Sequence, residues 1–178
     1  MLIRILIIVS FFISCNNNKY QYPISDKSEN FFKETLLQKN KILFRSENKF
    51  IDSIIKISNL NFYTDTTGVR ILIDKKNNNN ELNIRPKKGD IVFIKYSCVV
   101  LESKNSFKEL SRDDYLNFKL GYSKQMRGLN FAIKSLKVGD EAMIIIPSYL
   151  GFGLTGYNDL VPPHSTILLN IKLLNIKS

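Results

Sequence analysis

Two regimes of hydrophobic spacing divide the chain. Between Ser28 and Ser58 the apolar residues come in pairs: Phe31-Phe32, Leu36-Leu37, then Phe50-Ile51 and Ile54-Ile55. The first set recurs near i, i+1, i+5, and the second, at i, i+1, i+4 and i+5, marks one face of a helix. Ser46 and Glu47 suit the start of a second helix in this leader. From Phe62 the period becomes two. "VRILID" (Val69 to Asp74) predicts a short strand, "KKNNNNE" a loop and "RPKKGD" a turn. "IVFIKYSCVVL" (Ile91 to Leu101) predicts the longest strand, with Ile94, Tyr96 and Cys98 on one face. "YLNFKLG" alternates Leu116, Phe118 and Leu120. Then Leu129, Ala132, Ile133 and Leu136 return to helical spacing, stopped by Val138-Gly139-Asp140. "EAMIIIP" and "TILLNIKLLNIK" read as two further strands, the last with Ile167, Leu169, Ile171 and Leu173 on one face. Strands, one short helix, then strands predict an α+β fold: a mostly antiparallel sheet wrapped on a single helix, behind an N-terminal helical segment.

The first residues follow neither pattern. "MLIRILIIVSFFISC" has Arg4, an apolar run from Ile5 to Ile13, then Ser14-Cys15. The run is too short for a bilayer core, which takes about 20 residues, and matches a secretory signal peptide. "FISC" resembles the lipobox that ends bacterial lipoprotein signals, with Phe12 where Leu is usual. It implies cleavage before Cys15 and lipidation of that residue. The competing reading is an uncleaved apolar anchor with an incidental cysteine. "NNNKYQYP" follows at once and reads as a polar tether. The expected organisation is a lipoprotein signal over 1–14, a flexible tether over 15–27, a helical leader over 28–65 and a folded domain over 66–178.

Composition adds bounds. The 178 residues suffice for one domain plus a short extra element. Lys and Arg number 26 against 16 Asp and Glu, a formal +10. A basic surface can favour nucleic acid or anionic lipid. No predicted helix carries a dense basic stripe, so scattered solvated lysines are the simpler reading and no nucleic-acid partner is expected. With Cys15 lipidated, Cys98 is the remaining thiol, and it reads as a small buried hydrophobe. One histidine, His164, and one such cysteine build no metal site, and no cofactor is expected.

Gly151-Phe152-Gly153-Leu154-Thr155-Gly156 spells G-x-G-x-x-G. A dinucleotide loop needs a strand before its glycines and a helix after them, to seat the pyrophosphate. The strand is present. Asn158, Asp159, Pro162 and Pro163 leave no room for the helix. The glycines instead let a surface loop turn tightly while carrying Phe152 and Tyr157 over the sheet.

"GLNFAIKSLKVGDEAMIIIPSYLGFGLTGYNDLVPPHSTILLNIKLL" resembles the C-terminal core of FKBP-type peptidyl-prolyl isomerases. Shared features are a helix opening on Gly and a large apolar residue, a Gly-Asp turn, a strand ending in "IP", a Gly- and aromatic-bearing loop, a Pro-Pro pair and a last strand. "TTGVRILID" and "KKGDIVFIKYSCVVL" resemble the family's opening strands, so the likeness runs from about Thr67 to Lys177. The resemblance implies the FKBP-like fold and a prolyl isomerase activity without cofactor. It implies catalytic roles for Tyr96, Phe107, Leu129 and Phe152, and a substrate-binding wall of Leu116, Met126, Tyr157, Leu160, Val161 and Leu169. Leu129 would floor the pocket, where many members have Trp, and Met126 would offer its backbone N–H to a substrate carbonyl. For Leu116, Leu129 and Leu169 taken alone, plain core packing is the stronger reading. Phe152 and Tyr157, in a Gly-rich loop, are harder to read as core.

Two departures bear on activity. The family's second loop aromatic is usually Tyr, and Phe152 lacks its hydroxyl. Phe107 is followed by Lys108-Glu109 where the family often has Asp, which is missing unless Glu109 substitutes. Lipobox, helical leader and domain together are similar to the FKBP-like lipoproteins linked to gliding motility in Bacteroidetes. The implied protein is a membrane-tethered isomerase of low activity, facing the periplasm and assisting exported proteins. Its partners would be prolyl polypeptides and the membrane, with self-association or partner docking through residues 28–58. The alternative is a prolyl-binding module or scaffold subunit of a secretion or gliding-motility machinery.

Overall fold

The computed structural model describes residues 26–76, 84–103 and 106–178. The expected signal peptide over 1–14, Cys15 and the expected tether as far as Ser25 lie outside them. Element order is α1 (Asp26–Ser58), β1 (Tyr63–Thr64), β2 (Arg70–Lys75), β3 (Ile91–Ser103), β4 (Ser106–Lys119), α2 (Arg127–Ala132), β5 (Glu141–Ile146) and β6 (Thr166–Lys177). A single 3-10 turn, Ile133–Ser135, prolongs α2, and another, Ser148–Leu150, follows β5.

The strands form one six-stranded antiparallel sheet in the order β1-β2-β5-β6-β3-β4. Alternating residues from its inner face bury Val69, Ile71, Val92, Ile94, Val100, Ile144, Ile146, Ile167, Leu169 and Leu173. Against them lie Leu129, Ala132, Ile133 and Leu136 from α2 and its 3-10 extension. These four are the residues whose spacing marked the helix, and burying a large aliphatic side chain contributes about 1.5–3 kcal/mol. Gly128 lets α2 approach β5 closely, because a Cβ there would overlap the Ile146 side chain.

The leader departs from its expected form. It is one continuous helix, with no break at Ser46-Glu47. No Gly or Pro interrupts it, and the Ser46 hydroxyl donates to the Leu43 carbonyl one turn back in place of capping a new helix. The chain divides into two compact units after Asn40, inside α1. In the first, Phe31, Phe32 and Leu37 are exposed on the helix. In the second, the remainder of α1 packs on the sheet. Ile51 is fully buried, and the Phe44 ring lies 5.2 Å from that of Tyr149. Arg70, 5 % exposed, donates to Asn48 at 2.7 Å and Asp52 at 3.0 Å. The compact unit thus begins at Lys41, well before the expected domain start at residue 66.

Candidate functional site

An apolar cavity of about 230 Å³ opens between α2, the inner face of β3, β4 and β6, and the segment joining β5 to β6. Leu129, 2 % exposed, floors it from α2. Ile94, Tyr96 and Cys98 come from β3, where the period of two puts alternate residues on one face. Leu116 adds a side wall from β4 and Leu169 from β6. Phe152, Tyr157, Leu160 and Val161 close it from the β5–β6 connection.

That connection is held by its backbone. The Pro147 carbonyl accepts from Leu150 and Gly151, and the Ser148 carbonyl from Gly153 at 2.8 Å. Tyr157 and Val161 exchange N–H···O bonds at 2.9 and 3.1 Å. The Gly153 carbonyl accepts from His164. These ties set the Phe152 and Tyr157 rings 5.3 Å apart, tilted by 31°. No helix follows the three glycines, which removes the dinucleotide reading of G-x-G-x-x-G.

On the opposite lip, Asn130 fastens the segment ahead of α2. Its Oδ1 accepts from Gly121 N–H at 2.8 Å and its Nδ2 donates to the Met126 carbonyl at 3.1 Å. Met126 is thereby fixed at the helix N-cap. Backbone N–H groups at a helix start lack intrahelical acceptors, and Met126 stands at that place.

Nine of the ten residues expected at the site line this cavity: Tyr96, Leu116, Met126, Leu129, Phe152, Tyr157, Leu160, Val161 and Leu169. Phe107 does not. It pairs with Leu101 toward the far end of the β3–β4 ribbon and is 64 % exposed. Register shifts between Tyr96 and Cys98 and between Cys98 and Val99 reset which β4 residues face inward. Leu110 and Ser111 take the inward place. Glu109 does not supply the missing carboxylate either, being bound to Arg112 at 2.6 and 2.7 Å. Asp114, directly across from Tyr96, accepts from the Tyr96 hydroxyl and from Ser111, each at 3.3 Å. Gln125, Leu110 and Asp114 were not singled out in the sequence. Ile94 and Cys98 were legible as face-mates of Tyr96.

The site's electrostatics are those of a dry pocket. Burial, the main cause, raises the Tyr96 phenol above its ordinary value. Burial also pushes the Cys98 thiol up to about 11, which keeps it an inert wall group at neutral pH. Among the described residues no cluster of His, Cys, Asp or Glu could hold a metal ion. The arrangement can exclude water from a small apolar ring and its amide and can offer N–H and O–H donors at the rim.

The family model of FKBP-type peptidyl-prolyl cis-trans isomerases matches residues 83–174. FK506-binding protein 1 of Saccharomyces cerevisiae is 29% identical over 91 residues, 51% of this chain and 80% of its own length. FK506-binding protein 2 of Kluyveromyces lactis is 30% identical over 98 residues, 54% of this chain and 70% of its own. Among solved structures, the crystal structure of FkpA from Escherichia coli superposes with a TM-score of 0.61, covering 86% of this chain and 74% of that one. At 21% identity that likeness speaks for the fold.

Proposed function

The chain belongs to the FKBP-type peptidyl-prolyl cis-trans isomerases, and from that premise we propose that the Leu129-floored cavity is its isomerase site. We propose further that it serves exported polypeptides from a lipid anchor at Cys15, with modest turnover. The observation that carries the assignment of the site is the shared concavity of Leu129, Phe152 and Tyr157.

Rotation about an X–Pro amide meets a barrier of roughly 20 kcal/mol, because the C–N bond has partial double-bond character. The twisted transition state has lost resonance and is less polar than the planar amide. A pocket that strips water from the amide while an N–H holds its carbonyl favours the twisted form. Leu129, Phe152 and Tyr157 supply the dry surface, and Met126 N–H the donor. No covalent step is needed. Modest turnover follows from Phe152, which walls the cavity and brings no hydroxyl.

A bacterial cell-envelope location, on the periplasmic side, rests on the signal and lipobox pattern ending at Cys15. A place among gliding-motility lipoproteins rests on the resemblance of the leader. Docking or self-association through residues 28–58 is supported by the exposed Phe31, Phe32 and Leu37. Prolyl isomerisation of a short peptide tests the site: the full chain accelerates it, and Phe152→Ala and Leu129→Ala each slow it at unchanged fold. Wild-type rates in both variants would move the reaction elsewhere. Metabolic labelling with palmitate tests the anchor, with label lost and the protein freed from membranes in Cys15→Ser.

A further inference from the structure

The segment that closes the cavity is also gripped from outside, by a side chain of α1. Glu47 Oε1 accepts from the Ser148 N–H at 2.6 Å and from the Thr166 hydroxyl at 2.8 Å, while Oε2 accepts from the Ser148 hydroxyl at 2.9 Å. Ser148 and Thr166 are both buried, and they stand at the two ends of the β5–β6 connection. One carboxylate therefore ties together the points where the chain leaves β5 and returns to β6. All three bonds run to a charged acceptor, the stronger class of hydrogen bond.

The Ser148 peptide passes the constraint inward. Its N–H is fixed by Glu47 and its carbonyl accepts from Gly153 N–H at 2.8 Å, immediately after Phe152. The Gly153 carbonyl in turn accepts from His164 N–H at 2.9 Å, ahead of Thr166. The bonds close a loop: Glu47, Ser148, Gly153, His164 and back through Thr166 to Glu47. Phe152 rides on it. The tilted contact of the Phe44 ring with Tyr149 meets the same turn from one helical turn earlier in α1.

We propose that Glu47 is a positioning residue for prolyl isomerisation, holding the Phe152-bearing connection in its substrate-ready form. The inference rests on the cavity being the isomerase site, and it makes the leader helix a working part of that site. Without the carboxylate, a buried N–H and two buried hydroxyls lose their partner, and the connection relaxes to re-satisfy them.

Three variants of the full chain test this. Glu47→Ala removes every acceptor. Glu47→Gln keeps one carbonyl for the Ser148 N–H and the Thr166 hydroxyl, and its amide can donate to the Ser148 oxygen. Asp52→Ala removes one of α1's two links to Arg70, leaving the one to Asn48, and leaves the connection untouched. Two quantities are read at a temperature where all remain folded: kcat/KM for prolyl isomerisation, and hydrogen exchange at the Gly153 and His164 amides. Glu47→Ala should lower kcat/KM about tenfold, the effect of losing roughly one well-placed charged hydrogen bond, and speed exchange at both amides. Glu47→Gln should return both to within about threefold of the wild type, and Asp52→Ala should lower Tm without moving either. Fast exchange with an unchanged kcat/KM would overturn the proposal, as would equal losses in Glu47→Ala and Asp52→Ala. The exchange readout does not depend on where catalysis occurs, so failure of the clamp and failure of the site assignment give different patterns.

Discussion

Gly156 and Gly153 share a backbone conformation and differ in what surrounds them, which makes them a matched pair for testing the cavity's roof. Both have positive φ, +69° and +65°. An L-residue in the left-handed region costs roughly 1–2 kcal/mol. At Gly153 a Cβ meets nothing within 4 Å, so Gly153→Ala bears that strain alone. At Gly156 the Cβ would overlap the Val161 carbonyl oxygen and sit 2.9 Å from Pro162 C and 3.0 Å from Pro163 N. All three are backbone atoms, so no side chain can swing aside. Gly156→Ala must push the Val161 carbonyl away, and the Tyr157–Val161 pair of hydrogen bonds goes with it. Two backbone bonds at about 1 kcal/mol each bring the excess over Gly153→Ala to about 2 kcal/mol, or about 30-fold in an equilibrium between the ordered and the displaced roof. The damage is local, because β5 and β6 remain paired below. Initial rates of prolyl isomerisation at several enzyme concentrations give kcat/KM, and circular dichroism melts give Tm. Gly153→Ala should stay within about threefold of the wild type and Gly156→Ala should fall by about tenfold or more, with the larger drop in Tm in Gly156→Ala. Equal kcat/KM in the two variants would refute the claim that the Tyr157–Val161 segment forms part of the working pocket.

Three further outcomes follow from the same geometry. Phe152→Tyr returns a hydroxyl to the cavity rim, and one added hydrogen bond of about 1 kcal/mol should raise kcat/KM about fivefold. A fall, or no change, in steady-state rate would count against a carbonyl bound beside residue 152. Cys98, its thiol pushed up to about 11 by burial, should react with a thiol reagent far more slowly in the native chain at pH 8 than in denaturant; equal rates by mass spectrometry would contradict its buried place. Glu141 is lowered by its hydrogen bonds to Lys172 and then Lys75, all on the exposed face of the sheet. Its contribution to stability is therefore present above the ordinary carboxylate range and lost as pH falls through its depressed value. Glu141→Gln should flatten that acid limb in pH-dependent melts, and added salt should do so in the wild type.

Much of the sheet was legible from side-chain period, while the cavity's residues were gathered by the family resemblance. Ile94, Tyr96 and Cys98 fall on one face of β3, and Leu129, Ala132, Ile133 and Leu136 on one face of α2, because burial imposes those spacings. Phe107 was misplaced for the opposite reason. A register shift leaves no mark on hydrophobicity, and the irregular pairing near Cys98 moves every β4 residue beyond it relative to its partner. Asp114 escaped notice because it serves Tyr96 across a strand pair, not along the chain. The sequence likewise suggested Ser46-Glu47 as a helix start, since a hydroxyl followed by an acid is what a cap looks like. Glu47 instead bonds groups about a hundred residues away, at Ser148 and Thr166. Long-range polar partnerships of that kind depend on the assembled fold, and no local pattern encodes them.

The order β1-β2-β5-β6-β3-β4 has a bearing on biogenesis. β6, though later in sequence than all the others, lies in the middle of the sheet, bridging β5 on one side and β3 on the other. Until residues 166–177 have been synthesised, the two halves share no strand, and each displays a long unsatisfied edge. Closure is thus non-local and slow to nucleate. The two halves of the sheet are joined only when β6 has paired with both β3 and β5.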